Sequence, residues 1–160
     1  MRRRIARGFA VVVLACATGS AAITPAAAHV LDTDRFQVAL RGEAEHYKDV
    51  GRRGPSIGDY FVIGEKVFHR GHGVGRDNVH CDVTRAGAGR FAFACNVSLF
   101  LRGRGQIALQ GLFAYGRRGP GIDENPTSAL TGGTGIYAHA AGTATRVERE
   151  RGTRLRIDMR

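Results

Sequence analysis

The feature that most limits the possible folds is the run FAFACNVSLFL at residues 91–101, in which apolar side chains and a cysteine occupy every second position. Successive side chains of an extended strand point to opposite faces, so this alternation predicts a β-strand with one buried face. No window of ten or more residues shows a convincing 3.6-residue period, although GEAEHYKDV at 42–50 could supply one helical turn. The chain is therefore predicted to be mostly β.

Five further segments have strand character, and turn-forming sequences separate them. The turn sequences are AGAG, RGRG, TGGTG and two copies of GRRGP, which are rich in the glycine that tight turns favour. The count of about seven or eight successive strands indicates an all-β meander, either closed into a barrel or folded as a sandwich. Closure would also remove exposed sheet edges. The five segments are 36–40, 60–68, 79–83, 106–113 and 155–159.

Two cysteines test the strand register. A turn centred on Ala88 would place residue 85 opposite 91, and Cys81 opposite Cys95, with both sulfurs on one side of the ladder. A cross-strand disulfide is then possible, and two free buried thiols are the alternative.

The N-terminus has the composition of an export signal. Four arginines precede the apolar run FAVVVLACA, and the small residues Ala26 and Ala28 suit cleavage after Ala28. Residues 1–28 are thus predicted to be a signal peptide and residues 29–160 a single secreted domain, with no segment long enough for a stable membrane span. Lipid attachment at Cys16 is the alternative, although Leu14 is bulky for such a site.

The charge balance indicates a moderately basic surface. The full chain carries a formal net charge of +10, and removal of residues 1–28 leaves 20 basic and 14 acidic residues. No basic run alternates with aromatic residues, so nucleic-acid binding is not expected. A solvated basic exterior is the simpler interpretation, and binding of acidic polymers stays open.

A glycine-rich stretch, TGGTGIYAHAAG, matches the G-x-G-x-x-A spacing of dinucleotide loops through Gly133, Gly135 and Ala138. Such a loop needs a following helix and a second parallel strand, with an acid about 20 residues further on. Asp158 has that spacing, but the intervening sequence is a poor helix. The favoured interpretation is a tight turn where backbones approach closely.

Four stretches of the chain carry a resemblance to a known family: GDYFVIGEKVF at 58–68, VGRDNVHC at 74–81, RFAFACNVSLFLRGRGQIALQG at 90–111 and SALTGGTGIYAHAAG at 128–142. In these stretches the chain resembles the allene oxide cyclase barrel family, whose relatives include the plant dirigent proteins. The resemblance implies an eight-stranded antiparallel β-barrel with an apolar lumen, commonly a homotrimer, that orients a reactive small hydrophobic molecule without a metal or organic cofactor.

The resemblance also implies a set of pocket residues, with Gln37 at the position of the family's first-strand carboxylate. Gln37 cannot carry that negative charge, the pocket tyrosine is replaced by Phe113, and a polar amide position is Glu65. These departures argue against the plant cyclase reaction itself. The other implied pocket residues are Ile63, Cys81 and Phe91.

Glu65 is the candidate catalytic residue. Inside an apolar lumen it would be a possible general acid or base, whereas on the outer face it would be an ordinary strand glutamate paired with an arginine. Asp77 and Asn78 are interpreted either as barrel-mouth residues or as ordinary loop polarity. His69 and His72 lack a third ligand at a supporting spacing, so no metal site is predicted.

The sequence thus leads to a cofactor-free cyclase, isomerase or stereo-guiding protein as the first hypothesis. A non-catalytic carrier on the same scaffold, or a surface protein that binds acidic polymers, is the alternative, because a fold does not determine a function.

Overall fold

The computed structural model describes residues 32–87, 89–115, 126–149 and 152–160. The predicted signal peptide at 1–28, Cys16 and the second GRRGP at 116–120 lie outside these ranges.

Eight antiparallel strands form one closed barrel, in which every strand pairs with its neighbours along the chain and the last strand pairs with the first. The predicted all-β barrel is confirmed. Among the described residues, no helix has the length and apolar character needed to cross a membrane. The strands are β1 (Arg35–Lys48), β2 (Tyr60–His69), β3 (His72–Gly87), β4 (Arg90–Leu101), β5 (Gly105–Tyr115), β6 (Thr127–Gly133), β7 (Gly142–Arg149) and β8 (Gly152–Met159).

The polar segment that could have supplied a helical turn is the second half of β1. That half pairs with β2 as far as the Lys48–Tyr60 rung, with a bulge between Gly42 and Ala44. The pairing of β1 with β8 stops at Leu40. The second half of β1 is therefore an exposed edge beyond β8, which explains why its side chains are polar although its backbone is extended.

The β3–β4 hairpin has the predicted register at the cysteines but not at the turn. Cys81 lies opposite Cys95, and the disulfide between them is present. A bulge between Val83 and Arg85 places Arg85 opposite Ala92. The predicted pairing of 85 with 91 is wrong, because the extra residue of the bulge shifts the ladder by one position.

One half of the lumen is a packed apolar core, and a single 3₁₀ turn at Gly135–Tyr137 closes it. The Tyr137 side chain is buried in this core, where its ring centroid lies 6.2 Å from that of Phe36. The remaining buried members are Val38, Leu40, Val67, Leu99, Leu101, Ile107, Leu109, Leu130, Ala144, Leu155 and Ile157.

The glycine-rich stretch joins β6 to β7 through that 3₁₀ turn and forms no dinucleotide loop. A Cβ on Gly133 would lie against the backbone carbonyls of Tyr137 and Gln106, and one on Gly135 against that of Arg104. Gly135 also has a φ of 63°, which side-chain-bearing residues rarely adopt. Close backbone packing therefore accounts for these glycines.

We predict that the disulfide contributes about 3 kcal/mol to the free energy of unfolding, as expected for a closed loop of about 15 residues. Urea unfolding of the oxidised chain and of Cys81→Ser/Cys95→Ser measures this difference. Adding reductant should lower the stability of the native chain and leave the double variant unchanged. Equal stability of oxidised and reduced native protein would contradict the prediction.

Candidate ligand site

A cavity of about 250 Å³ occupies the other half of the barrel. Its volume is close to the lower end of the roughly 300–1,000 Å³ found for small-molecule sites. Most of its wall is apolar, and its charged groups are few. The lining residues are Leu40, Phe61, Ile63, Asp77, Val79, Cys81, Phe93, Cys95, Val97, Leu109, Phe113, Pro126, Ser128, Arg146, Glu148 and Leu155.

Aromatic rings and the disulfide form one wall of the cavity. Phe61 and Phe93 lie edge to face, with ring centroids 5.3 Å apart. Both rings and Phe113 pack beside the Cys81–Cys95 bridge while staying partly accessible. Their inward direction follows from the strict alternation of β2, β4 and β5. This wall can hold the flat apolar part of a small molecule.

A buried ion pair joins β2 to β7 inside the barrel. The Arg146 guanidinium donates to both carboxylate oxygens of Glu65, at 2.8 and 3.0 Å, and Glu65 is only 4% exposed. Arg146 Nε also donates to Glu148 at 3.1 Å, and the Thr153 hydroxyl donates to the second Glu148 oxygen at 2.6 Å. Burial by itself lowers the pKa of Arg146, but its hydrogen bonds and ion pairs with Glu65 and Glu148 outweigh this and raise it.

Asp77 is the unusual group of the site. It lies opposite Glu65 in the β2–β3 ladder, is 5% exposed and lines the cavity. Neither of its carboxylate oxygens has a well-formed hydrogen bond to a described residue, although the backbone and side chain of Glu65 lie close enough to affect its pKa. Burial and the negative charge of Glu65 raise the pKa of Asp77 to about 7, although Arg146 acts in the opposite direction. Asp77 is therefore poised to lose or accept a proton near neutral pH.

The residues implied by the family resemblance are only partly brought together. Ile63, Cys81 and Phe113 line the cavity. Gln37 is exposed on the outer face, because the inward positions of β1 are its even-numbered neighbours. Phe91 lines a separate shallow cavity with Phe93 and does not reach the main one.

Glu65 combines features of both interpretations made for it from the sequence. It points inward and is buried, yet it is also paired with an arginine. The cavity-facing carboxylate without such a pair is its neighbour Asp77. Asp77 lies within β3 and not in a loop, whereas Asn78 is exposed on the outer face of the same strand.

No group of three or more His, Cys, Asp or Glu side chains suited to a metal ion occurs in the described ranges. His69 and His72 face each other where β2 meets β3, and His69 Nδ1 lies 3.1 Å from the backbone carbonyl of Gln37.

Arg146 was not identified from the sequence. β7 has the sequence GTATRVER, whose inward positions include Ala144, Arg146 and Glu148, so its pattern lacks the apolar alternation that marked the other strands. The R-x-E spacing places both charges on one face of a strand. Without the register, however, nothing in the sequence connects them to Glu65.

Asp59 holds the loop between β1 and β2 in place through hydrogen bonds. This buried carboxylate accepts hydrogen bonds from the Tyr47 hydroxyl at 2.7 Å, the Val50 amide at 2.9 Å, and both the amide and the hydroxyl of Ser56. The Tyr47 and Val50 donors hold the pKa of Asp59 well below its usual range, and the same contact raises the pKa of Tyr47 to about 12.

We predict that Asp59→Asn releases this loop, because an amide cannot accept all of these hydrogen bonds. Amide hydrogen exchange at Val50 and Ser56 should accelerate, while exchange in β4 should change little. Because the folded-state pKa of Asp59 is lowered, its contribution to stability is present above its unfolded pKa near 3.9 and lost as the pH falls further. Unchanged exchange at both amides would contradict the prediction.

Several solved structures share this barrel fold, and three of them illustrate the similarity. Pyocyanin demethylase superposes with a TM-score of 0.67 at 22% identity, covering 79% of this chain and 99% of that one. AbnU, an exo-specific intermolecular Diels-Alderase, gives 0.59 at 14% identity, covering 78% and 97%. The Diels-Alderase AbmU from Streptomyces koyangensis gives 0.58 at 12% identity, covering 78% and 60%. No protein-family model and no curated protein matches the chain. These identities establish the fold alone.

Proposed function

We propose that the chain is a small-molecule-binding barrel that acts as a cofactor-free cyclase or isomerase, with Asp77 as its general acid–base group. The single observation that carries the proposal is a buried carboxyl group without a well-formed hydrogen bond in the wall of a largely apolar cavity. A carboxyl group with a pKa near 7 is present in both protonation states at neutral pH, which suits proton transfer to or from a bound molecule.

The remaining residues of the cavity have supporting roles. The Phe61 and Phe93 rings bind the apolar part of the substrate and restrict its conformations, which lowers the entropic cost of reaching the transition state. The Arg146–Glu65 ion pair holds one positive and one negative group beside Asp77. The disulfide supplies a rigid wall.

The sequence resemblance and the solved structures support the same class of function. The resemblance is to allene oxide cyclases and dirigent proteins, which guide reactive molecules along one path, and two of the structures with this fold are Diels-Alderases. Membership of the allene oxide cyclase barrel family is part of the proposal, as is export after cleavage near Ala28. The disulfide supports export, because such bridges persist in oxidising compartments.

The full chain, expressed with its own N-terminus and purified without detergent, tests the proposal by native mass spectrometry. We expect a small organic ligand; it is extracted from the Asp77→Asn protein, which should leave its substrate unconverted, and is then incubated with ligand-free native protein. Chemical conversion that is lost in Asp77→Asn and kept in Asp82→Asn would support an enzyme. Asp82 is the matched control, since it lies on the same strand with a side chain 47% exposed. Return of the ligand unaltered would instead establish a carrier and overturn the catalytic role.

A further inference from the structure

We propose that the ligand carries a positive charge, in the form of a protonated amine or a similar nitrogen cation on an aromatic or aliphatic ring, and that Asp77 is the group that pairs with this charge. This inference rests on the proposed function of the cavity and specifies the chemical class of its ligand.

The charge balance of the cavity is the first observation. Among the described residues, the charged groups in or directly behind its wall are Glu65, Asp77, Glu148 and Arg146. Three carboxylates therefore face one guanidinium. Glu148 is 67% exposed, so solvent screens much of its charge, but Glu65 and Asp77 are both buried. The inner surface is thus acidic, although the whole chain carries a net charge of +10.

The state of Arg146 argues against an anionic ligand. Its Nη1, Nη2 and Nε atoms already donate to the carboxylates of Glu65 and Glu148 at 2.8 to 3.1 Å. An anion would have to compete with two carboxylates for the same guanidinium. It would also approach Asp77 with like charge, which is costly where water is excluded.

The unpaired state of Asp77 favours a cation. The buried Asp77 carboxylate has lost its hydration without gaining a well-formed hydrogen bond, so a ligand that supplies a charged N–H group adds the interaction that the protein does not provide. The nearby Phe61, Phe93 and Phe113 rings add to this preference, because the faces of aromatic rings attract cations. One small molecule with an apolar ring and one cationic nitrogen would pack against the phenylalanine rings and pair with Asp77.

Three naphthalene derivatives of nearly equal shape provide the test: 1-naphthylmethylammonium, 1-naphthylmethanol and 1-naphthoate, which are cationic, neutral and anionic. Their binding to the full, ligand-free chain is measured by isothermal titration calorimetry at pH 8, where Asp77 is ionised. We expect the cation to bind at least about tenfold more tightly than the alcohol, and the anion to bind most weakly. Asp77→Asn should remove most of that preference, and Asp82→Asn should keep it.

The outcomes separate this inference from the proposed function. If all three compounds bind and the alcohol or the anion equals the cation, the cavity is a ligand site but the charge assignment is wrong. If the cation is preferred equally in the native chain and in Asp77→Asn, Asp77 is not its partner. If none of the three binds, both the ligand site and the charge assignment are overturned.

Discussion

Replacing Arg146 with alanine is expected to lower the free energy of unfolding by about 3–5 kcal/mol, the usual cost of removing one partner from a buried ion pair. The substitution leaves Glu65 and Asp77 as adjacent buried carboxyl groups without the guanidinium that balances them. Urea unfolding at pH 7 measures the loss. Arg156→Ala is the control, because Arg156 is 54% exposed and its ion pair with Asp158 should contribute at most about 1 kcal/mol.

A double substitution separates the loss of the attraction between Arg146 and Glu65 from the cost of leaving the Glu65 charge buried without a partner. In Arg146→Met/Glu65→Met both partners are replaced by apolar side chains, so no unpaired charge of that pair stays buried. Such replacements are often neutral or stabilising. We therefore expect the double variant to be more stable than Arg146→Ala by about 2 kcal/mol or more. If Arg146→Ala were as stable as Arg156→Ala, the buried ion pair would contribute no more to the free energy of unfolding than an exposed pair does.

Asp77→Asn is expected to stabilise the barrel at alkaline pH and to have little effect near pH 4. The pKa of Asp77 is about 7 in the folded chain and near 3.9 when unfolded, so the folded state binds the extra proton between these values. Stability then falls as the pH rises from about 4 to 7 and stays low above it. The difference of about three pKa units corresponds to roughly 4 kcal/mol at pH 8, reduced by whatever hydrogen bonds the new amide lacks.

The measurement is a series of urea unfolding curves between pH 4 and pH 8 for the native chain, Asp77→Asn and Asp82→Asn. Subtracting the variant from the native chain removes the pH-dependent contributions that the two proteins share. Asp82→Asn should follow the native profile. Parallel profiles for the native chain and Asp77→Asn would refute the assignment of a raised pKa.

The sequence was sufficient for an all-β meander because most inward positions are apolar at a period of two, and the family resemblance favoured a closed barrel over a sandwich. β4 shows this pattern without interruption, and a turn placed at residue 88 predicted the pairing of Cys81 with Cys95. The alternation did not identify a strand where the inward residues are polar, as in β7. It also failed at bulges, since an added residue at Thr84 shifts the β3–β4 ladder without any distinctive composition.

The candidate site was harder to predict because it depends on contacts between distant strands. Glu65 and Arg146 are 81 positions apart, and nothing local shows that they pair. Asp77 could be assigned to the lumen only by knowing that β3 extends back to His72. Once the pairing of β2 with β3 is known, the position of Asp77 beside Glu65 follows. That position accounts in part for the raised pKa of Asp77.

The bridge between Cys81 and Cys95 has a chemical consequence for whatever enters the barrel. Both sulfurs belong to residues that line the cavity, directly among its aromatic rings. As thiols they would be nucleophiles in contact with the ligand, and an epoxide or another electrophile could alkylate them. Oxidation of the pair removes this side reaction. For the cyclase or isomerase activity proposed above, the bridge would prevent an electrophilic substrate from inactivating the protein.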